Sequence, residues 1–253
     1  MRPMGWAIDL DGVVWLGDEP IPGAADAIRR LRAAGRRLAF VTNNSYWTRA
    51  DVAAKLARHD IPAHDDVVTS AMAAAALIEP DDVVLACGGP GVIEAIESRG
   101  ARVTSDGRVD AVVVGYNPAF DYDQMRAASV AVRRGARLVA TNDDATYPTP
   151  DGPIPGAGSI LASIVTASGV EASIAGKPHR PIADLVRVHL DQTEMVVGDR
   201  IDTDGRFARA LRARFALVLT GVTGPDDLPV EPEPDVVAPD LAHLVDQELA
   251  AGR

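Results

Sequence analysis

A single cysteine, Cys87, is all the thiol chemistry this 253-residue chain has. It has no partner for an internal disulfide and no CxxC pair for zinc, which excludes a disulfide framework and a thiolate metal site; it reads as a small buried hydrophobe. Lysine is nearly missing. Only Lys55 and Lys177 occur among 25 basic residues, and asparagine is confined to positions 43, 44, 117 and 142. The skew fits drift toward GC-rich codons. It makes the survivors informative, because an ammonium or a carboxamide does what a guanidinium or carboxylate does not. No apolar run approaches the ~20 residues needed to span a bilayer. Met1 leads into the first apolar strand without a basic, apolar and cleavage-site leader, so a cytoplasmic protein with no membrane partner is expected. Positive charge is in deficit. A formal net charge of −11 excludes sequence-independent binding to nucleic acid or anionic lipid, which would repel the chain. Small anionic ligands stay open through a local basic pocket.

With 47% hydrophobic and 24% charged residues, the chain has an ordinary composition with enough material for one large or two modest domains. Apolar runs alternate with helix-period segments almost throughout, which predicts α/β architecture with a mostly parallel sheet. Expected strands lie at 6–10, 37–41, 66–69, 83–86, 111–114, 137–140, 195–197 and 216–219. Expected helices lie at 23–34, closed by Gly35, and at 48–58, 71–78, 91–98, 122–133, 158–167, 179–190, 203–212 and 239–249. The Pro- and acid-rich stretch at 224–235 reads as a surface loop. The order suggests a core made of 1–79 and 176–253, interrupted by an inserted α/β domain, 80–175, of about 95 residues. Crossings near Glu79 and Ala175 would act as hinges for a site between the two.

Four strand ends carry chemistry-bearing residues. Asp9 ends the first apolar run, where open α/β sheets bind ligands, and Asp11 follows on the same side. Two carboxylates that close need a metal, or one of them held neutral. The turn alternative accounts for Gly12 and Asp11 but not for an acid at the apolar end of a strand. In the 40–44 stretch, Phe-Val-Thr-Asn-Asn, a hydroxyl and free N–H groups suit phosphate oxygens; the competing reading is a turn, or a helix cap at Ser45 or Thr48. Gly-Lys-Pro at 176–178 places Lys177 just before a helix that Pro178 would open, where an ammonium is repelled by the dipole unless it offsets an anion. The strand at 195–197 runs into Asp199, with Asp204 a turn later; acids there also serve as plain caps.

Taken together the four resemble the motifs of haloacid dehalogenase superfamily phosphatases: DLDGVVW the first, VTNN the second, GKP the third and GDRIDTD the fourth. The insertion between the second and third resembles the class IIA branch, called NagD-like or 4-nitrophenylphosphatase-like. The likeness runs over essentially the whole chain. It implies a Rossmann-like core with a C2-type α/β cap, a Mg2+ cofactor and a small phosphorylated substrate. It also implies that Asp9 is the nucleophile and that Asp11 protonates the leaving oxygen and then activates water. Magnesium would take a carboxylate oxygen of Asp9, the main-chain carbonyl of Asp11 and Asp199, with Asp204 as an orienting acid behind it. Thr42, Asn43 and Asn44 would bind phosphoryl oxygens, and Lys177 would offset their charge. The cap loop at 141–152 offers Asn142, Asp144 and Tyr147 for specificity, although Asn142 and Asp144 are equally good turn formers. A homodimer through the cap is expected.

Other readings use the same residues. A dehalogenase has no use for Asp11 or magnesium. A phospho-receiver module places its acceptor later in the chain and lacks such a cap. A phosphate-binding or signalling module without turnover remains the alternative. CysGlyGlyProGly at 87–91 mimics a phosphate loop but reads as a strand-to-helix turn. The histidines at 59, 64, 179, 189 and 243 read as surface or capping residues, with His179 alone near the proposed chemistry. The physiological substrate is not encoded in these motifs.

Overall fold

The first apolar run leaves the sheet two residues sooner than its hydrophobicity does. In the computed structural model, which describes residues 4–63, 65–147 and 152–251, strand β1 is Gly5–Ile8. Leu10, Val13 and Val14 are buried in the turn that follows, which is why the run looks longer than the strand. His64 and residues 148–151 of the expected cap loop lie outside the described residues.

The chain continues through a short hairpin, β2 (Trp15–Leu16) and β3 (Glu19–Pro20), to helix α1 (Ala24–Ala33), β4 (Arg37–Thr42), α2 (Arg49–Arg58), β5 (Val67–Thr69) and α3 (Ser70–Ala75). Next come β6 (Val83–Cys87), α4 (Pro90–Ser98), β7 (Arg102–Thr104), β8 (Ala111–Val114), α5 (Tyr122–Arg133) and β9 (Arg137–Ala140). The hairpin β10 (Thr146–Tyr147) and β11 (Ile154–Pro155) precedes α6 (Ala157–Ser168), β12 (Ser173–Ile174), α7 (Arg180–Leu190) and β13 (Thr193–Gly198). The last elements are α8 (Arg206–Leu211), β14 (Arg214–Val218), β15 (Val236–Ala238) and α9 (Leu241–Ala251).

Contacts divide the chain into two compact units: 1–42, 52–68 and 183–253 in the first, and 43–51 and 69–182 in the second. The second unit thus takes in the expected insertion together with three flanking stretches. The first holds a six-stranded sheet in the order β15-β14-β13-β1-β4-β5. β1 pairs in parallel with β13 on one side and β4 on the other. Chain progression reverses at β1, so the carboxyl ends of β1, β13 and β4 border a topological switch point, the place where such sheets bind ligands. Helix α1 covers this sheet with Ala24, Ala27, Ile28 and Leu31, a one-sided apolar stripe at helical spacing. Trp6, Ile8, Phe40, Val197 and Leu244 join the same core.

The second unit has a five-stranded sheet, β12-β9-β8-β6-β7, all of whose pairings are parallel. Val112, Val114, Leu138, Ile160 and Ile164 form its core. Helix α5 begins at the cap Asp121, whose carboxylate accepts the Gln124 N–H at 2.8 Å. Both sheets are α/β and mostly parallel, as the alternating pattern predicts.

Two expected helices differ. α7 starts at Arg180, with Pro181 in its first turn, where a missing N–H costs nothing; Pro178 therefore does not open it. The helix expected at 203–212 is a π turn, Ile201–Gly205, followed by α8. Gly205 N–H reaches back five residues to the Arg200 carbonyl at 3.2 Å. Among the described residues no helix is long and apolar enough to cross a membrane.

Candidate active site

Asp9 sits one residue beyond β1, and its N–H still donates to the Val197 carbonyl of β13 at 2.9 Å. The ladder pairs Ile8 with Val197, so Asp9 and Asp199 leave neighbouring parallel strands at the same end. The π turn brings Asp204 back toward them. Carboxylate oxygens of Asp9, Asp199 and Asp204 all lie within 4.8 Å of one another, and all three residues are buried. Three like charges this close, out of water, are strongly unfavourable without a cation or protons.

The surrounding backbone is shaped to hold these acids. Asp199 Oδ2 accepts the Val222 N–H at 2.6 Å, and its main-chain carbonyl accepts the Thr223 N–H at 3.1 Å. Asp204 Oδ2 accepts the Arg200 N–H at 3.2 Å. A Cβ on Gly221 would overlap the Asp199 carboxyl, and one on Gly198 would overlap that of Asp204. The Arg200 guanidinium is paired with Asp202 through two hydrogen bonds at 2.9 and 3.2 Å. Burial pulls the Asp202 carboxyl upward, but the Arg200 pairing and nearby N–H groups bring it below the ordinary carboxylate range. An all-oxygen donor set in a cradle that admits no extra methyl suits a small hard divalent cation such as Mg2+.

Asp11 follows Asp9 by two residues in the turn after β1. Its Oδ1 accepts the indole N–H of Trp15 at 3.0 Å. Thr42 ends β4 and is buried beside the switch point.

In the second unit, residues 43–45 are bonded to the segment that follows β9. The Asn43 side chain donates to Asp144 Oδ2 and to the Lys177 carbonyl, both at 3.0 Å, while its Oδ1 accepts the Lys177 N–H at 2.8 Å. The Asn43 carbonyl accepts from Asn142 Nδ2 at 2.7 Å and from Ser70 Oγ at 2.8 Å. Asn44 Nδ2 donates to the Tyr147 hydroxyl at 3.3 Å, and its Oδ1 accepts the Tyr46 N–H at 3.1 Å. The Tyr147 ring stacks on Tyr116 with centroids 5.4 Å apart. Lys177 and Asn142 are buried. The three cap-loop candidates, Asn142, Asp144 and Tyr147, are therefore tied to the 43–44 segment.

The structure decides between the readings left open for several polar residues. Ser45 is fully buried, accepts the Tyr116 N–H at 3.1 Å and meets the Thr141 hydroxyl at 3.0 Å, so it caps no helix. Thr48 does: it and Asp51 exchange side-chain and N–H bonds in a reciprocal cap on α2. Trp15 carried no signal beyond its place in DLDGVVW. Gly-Gly-Pro at 88–90 is the expected strand-to-helix turn, with Pro90 opening α4. His243 pairs with Asp240, while His179 lies 3.5 Å from Asp143.

A family model described as haloacid dehalogenase-like hydrolase matches residues 6–102, and one described as HAD-hydrolase-like matches 174–244. The chain is 36% identical over 231 residues to the acid sugar phosphatase of Staphylococcus haemolyticus, covering 88% of each. Among solved structures, the p-nitrophenyl phosphatase from Archaeoglobus fulgidus matches with a TM-score of 0.90 at 31% identity, covering 98% of this chain and 100% of the other. The glycerol phosphate phosphatase from Mycobacterium tuberculosis in complex with magnesium matches with a TM-score of 0.88 at 36% identity, covering 96% of this chain and 76% of the other.

Proposed function

Because the chain belongs to the haloacid dehalogenase-like hydrolases, we propose that it is a magnesium-dependent phosphomonoester hydrolase that acts through a phosphoaspartate on small phosphorylated metabolites. The observation that carries this reading is the buried trio Asp9, Asp199 and Asp204 at the carboxyl ends of β1 and β13. Asp9 is the nucleophile. Its carboxylate attacks phosphorus in line, while Asp11 gives a proton to the departing oxygen and then takes one from the attacking water. Asp9, Asp199 and the Asp11 carbonyl would hold the cation, with Asp204 as an orienting acid behind them. When bound, Mg2+ offsets the negative charge of carboxylates and phosphate and fixes their alignment. Thr42 and the main-chain N–H groups of Asn43 and Asn44 bind phosphoryl oxygens, and Lys177 offsets the charge that builds on them.

The segment 80–175 serves as the cap on a 1–79 and 176–253 core, and it selects among substrates that present the same phosphoryl group. Sugar phosphates, glycerol phosphate, phosphoglycolate, pyridoxal phosphate and nucleotides are the classes to rank by kcat/KM. We also propose a cytoplasmic homodimer paired through the cap, as the family resemblance implies.

The decisive measurement is turnover of 4-nitrophenyl phosphate with and without Mg2+. Hydrolysis that requires the metal and disappears in Asp9→Asn is expected. A well-folded protein that releases no phosphate from any of these esters would overturn the proposal.

A further inference from the structure

Trp15 donates its indole N–H to Asp11 Oδ1 at 3.0 Å although it is only 3% exposed, and nothing about its burial requires that partner to be a carboxylate. The turn after β1 makes the contact local. Val14 N–H and Trp15 N–H both return to the Leu10 carbonyl, and Gly12 N–H donates to the Trp15 carbonyl at 2.7 Å, which folds residue 15 back over residue 11. The ring is also held from α2. Lys55 Nζ lies 4.4 Å from the indole centroid and donates to the Gly17 carbonyl at 2.6 Å, so one of the chain's two lysines clamps the ring to its own hairpin. His59, one turn on, lies 6.0 Å from the same ring.

We propose that Trp15 is a positioning residue that fixes the Asp11 carboxyl for proton transfer, an inference resting on the acid–base role assigned to Asp11 above. In the first step a bond forms from an Asp9 oxygen to phosphorus as the bond to the leaving group breaks, and the Asp11 proton passes to the departing oxygen. In the second, a water oxygen bonds to phosphorus, its proton goes to Asp11, and the Asp9 oxygen–phosphorus bond breaks. With Oδ1 accepting from the indole, the transferred proton is carried at Oδ2, so the ring dictates which oxygen does the chemistry. An indole is donor-only and neutral at every accessible pH. It orients the carboxyl without placing a formal positive charge beside a group that must carry a proton in one step and lose it in the next.

The test exploits leaving-group basicity, because a phenolate that is a poor leaving group needs a proton more than a good one does. Trp15→Phe keeps an aromatic ring, though a smaller one, and removes the N–H. Its kcat/KM for phenyl phosphate is expected to fall ~10- to 100-fold, whereas that for 2,4-dinitrophenyl phosphate changes less than about threefold. Asp11→Asn should show a steeper dependence of the same kind, and adding Trp15→Phe to it should cost little more. Should Trp15→Phe fail to fold by thermal melt, Lys55→Met removes the cation held against the buried indole and should show the same selectivity at about two- to fivefold. An equal loss on both esters, or none, overturns the role of Trp15 while leaving the phosphatase reading intact. Asp11→Asn with no leaving-group dependence, in an enzyme still abolished by Asp9→Asn, removes the acid–base premise and this inference with it.

Discussion

The carboxamide of Asn43 pairs with the main chain of Lys177 at both ends, accepting its N–H at 2.8 Å and donating to its carbonyl at 3.0 Å. A carboxamide has the donor and acceptor of a peptide group, so Asn43 joins two segments 134 residues apart as a strand neighbour would. It also donates to Asp144. Asn43→Ala removes all three links and should cost ~2–4 kcal/mol of stability, with a larger fall in kcat than rise in KM. Asn43→Asp faces the Asp144 carboxylate with a second one and should be at least as damaging, with partial recovery in the double variant carrying Asp144→Asn. Chemical denaturation and steady-state kinetics on the four proteins check this; unchanged kcat in folded Asn43→Ala would refute it.

Gly198 and Gly221 occupy positions where a Cβ would overlap the Asp204 and Asp199 carboxyls. Alanine at either site must displace an acid of the buried trio. The Mg2+ concentration for half-maximal activity is expected to rise about tenfold or more, as it does when groups that orient metal ligands are disturbed. A metal titration monitored by phosphate release reads this directly, and a wild-type metal requirement in Gly221→Ala would refute it.

Burial pushes the Cys87 thiol up to about 12 from its ordinary 9.0. At neutral pH it stays protonated and enclosed, so a disulfide-exchange reagent should label no thiol in the native protein and one after denaturation. The linkage sign follows from proton binding. Above 9.0 the unfolded chain releases the thiol proton while the folded one keeps it, so this residue's contribution is full below 9.0 and is lost as pH rises toward 12. Cys87→Ala should flatten that alkaline decline in thermal stability, and an unchanged slope would contradict the assignment.

Asp240 caps α9, accepting the His243 N–H at 2.8 Å and its ring Nδ1 at 2.9 Å. Burial raises its carboxyl, but these bonds outweigh that and bring it below the usual range. A depressed carboxylate contributes above its unfolded pKa and loses the contribution as pH falls through the folded value. Asp240→Ala should therefore cost ~1 kcal/mol at neutral pH and almost nothing in strong acid, measured by urea unfolding at several pH values. A cost independent of pH would assign the effect to packing instead.

Elements whose pattern spans a full strand or several helical turns were legible from residue order. α5 (Tyr122–Arg133) and β9 (Arg137–Ala140) fall where their periodicity places them. β7, β12 and β15 were not: each has two or three residues, too few to show a period, and exists because a neighbouring strand offers a partner edge. The helix expected from 203 begins instead as a π turn at Ile201–Gly205; the two share local propensity, and the Gly205 N–H bond to the Arg200 carbonyl five residues back distinguishes them.

Residue order alone determined that polar and charged groups stand at the ends of apolar strands, and in which succession. A strand's hydrophobicity and its interruption are local properties. The tertiary structure decided which acids meet, that Asn142, Asp144 and Tyr147 fasten onto residues 43 and 44, and that Asp11 is held by Trp15. Most of those choices depend on partners about a hundred or more residues away, or on which way one tight turn folds. Hydrogen bonds select such partners by distance and angle, quantities that a linear order of residues does not carry.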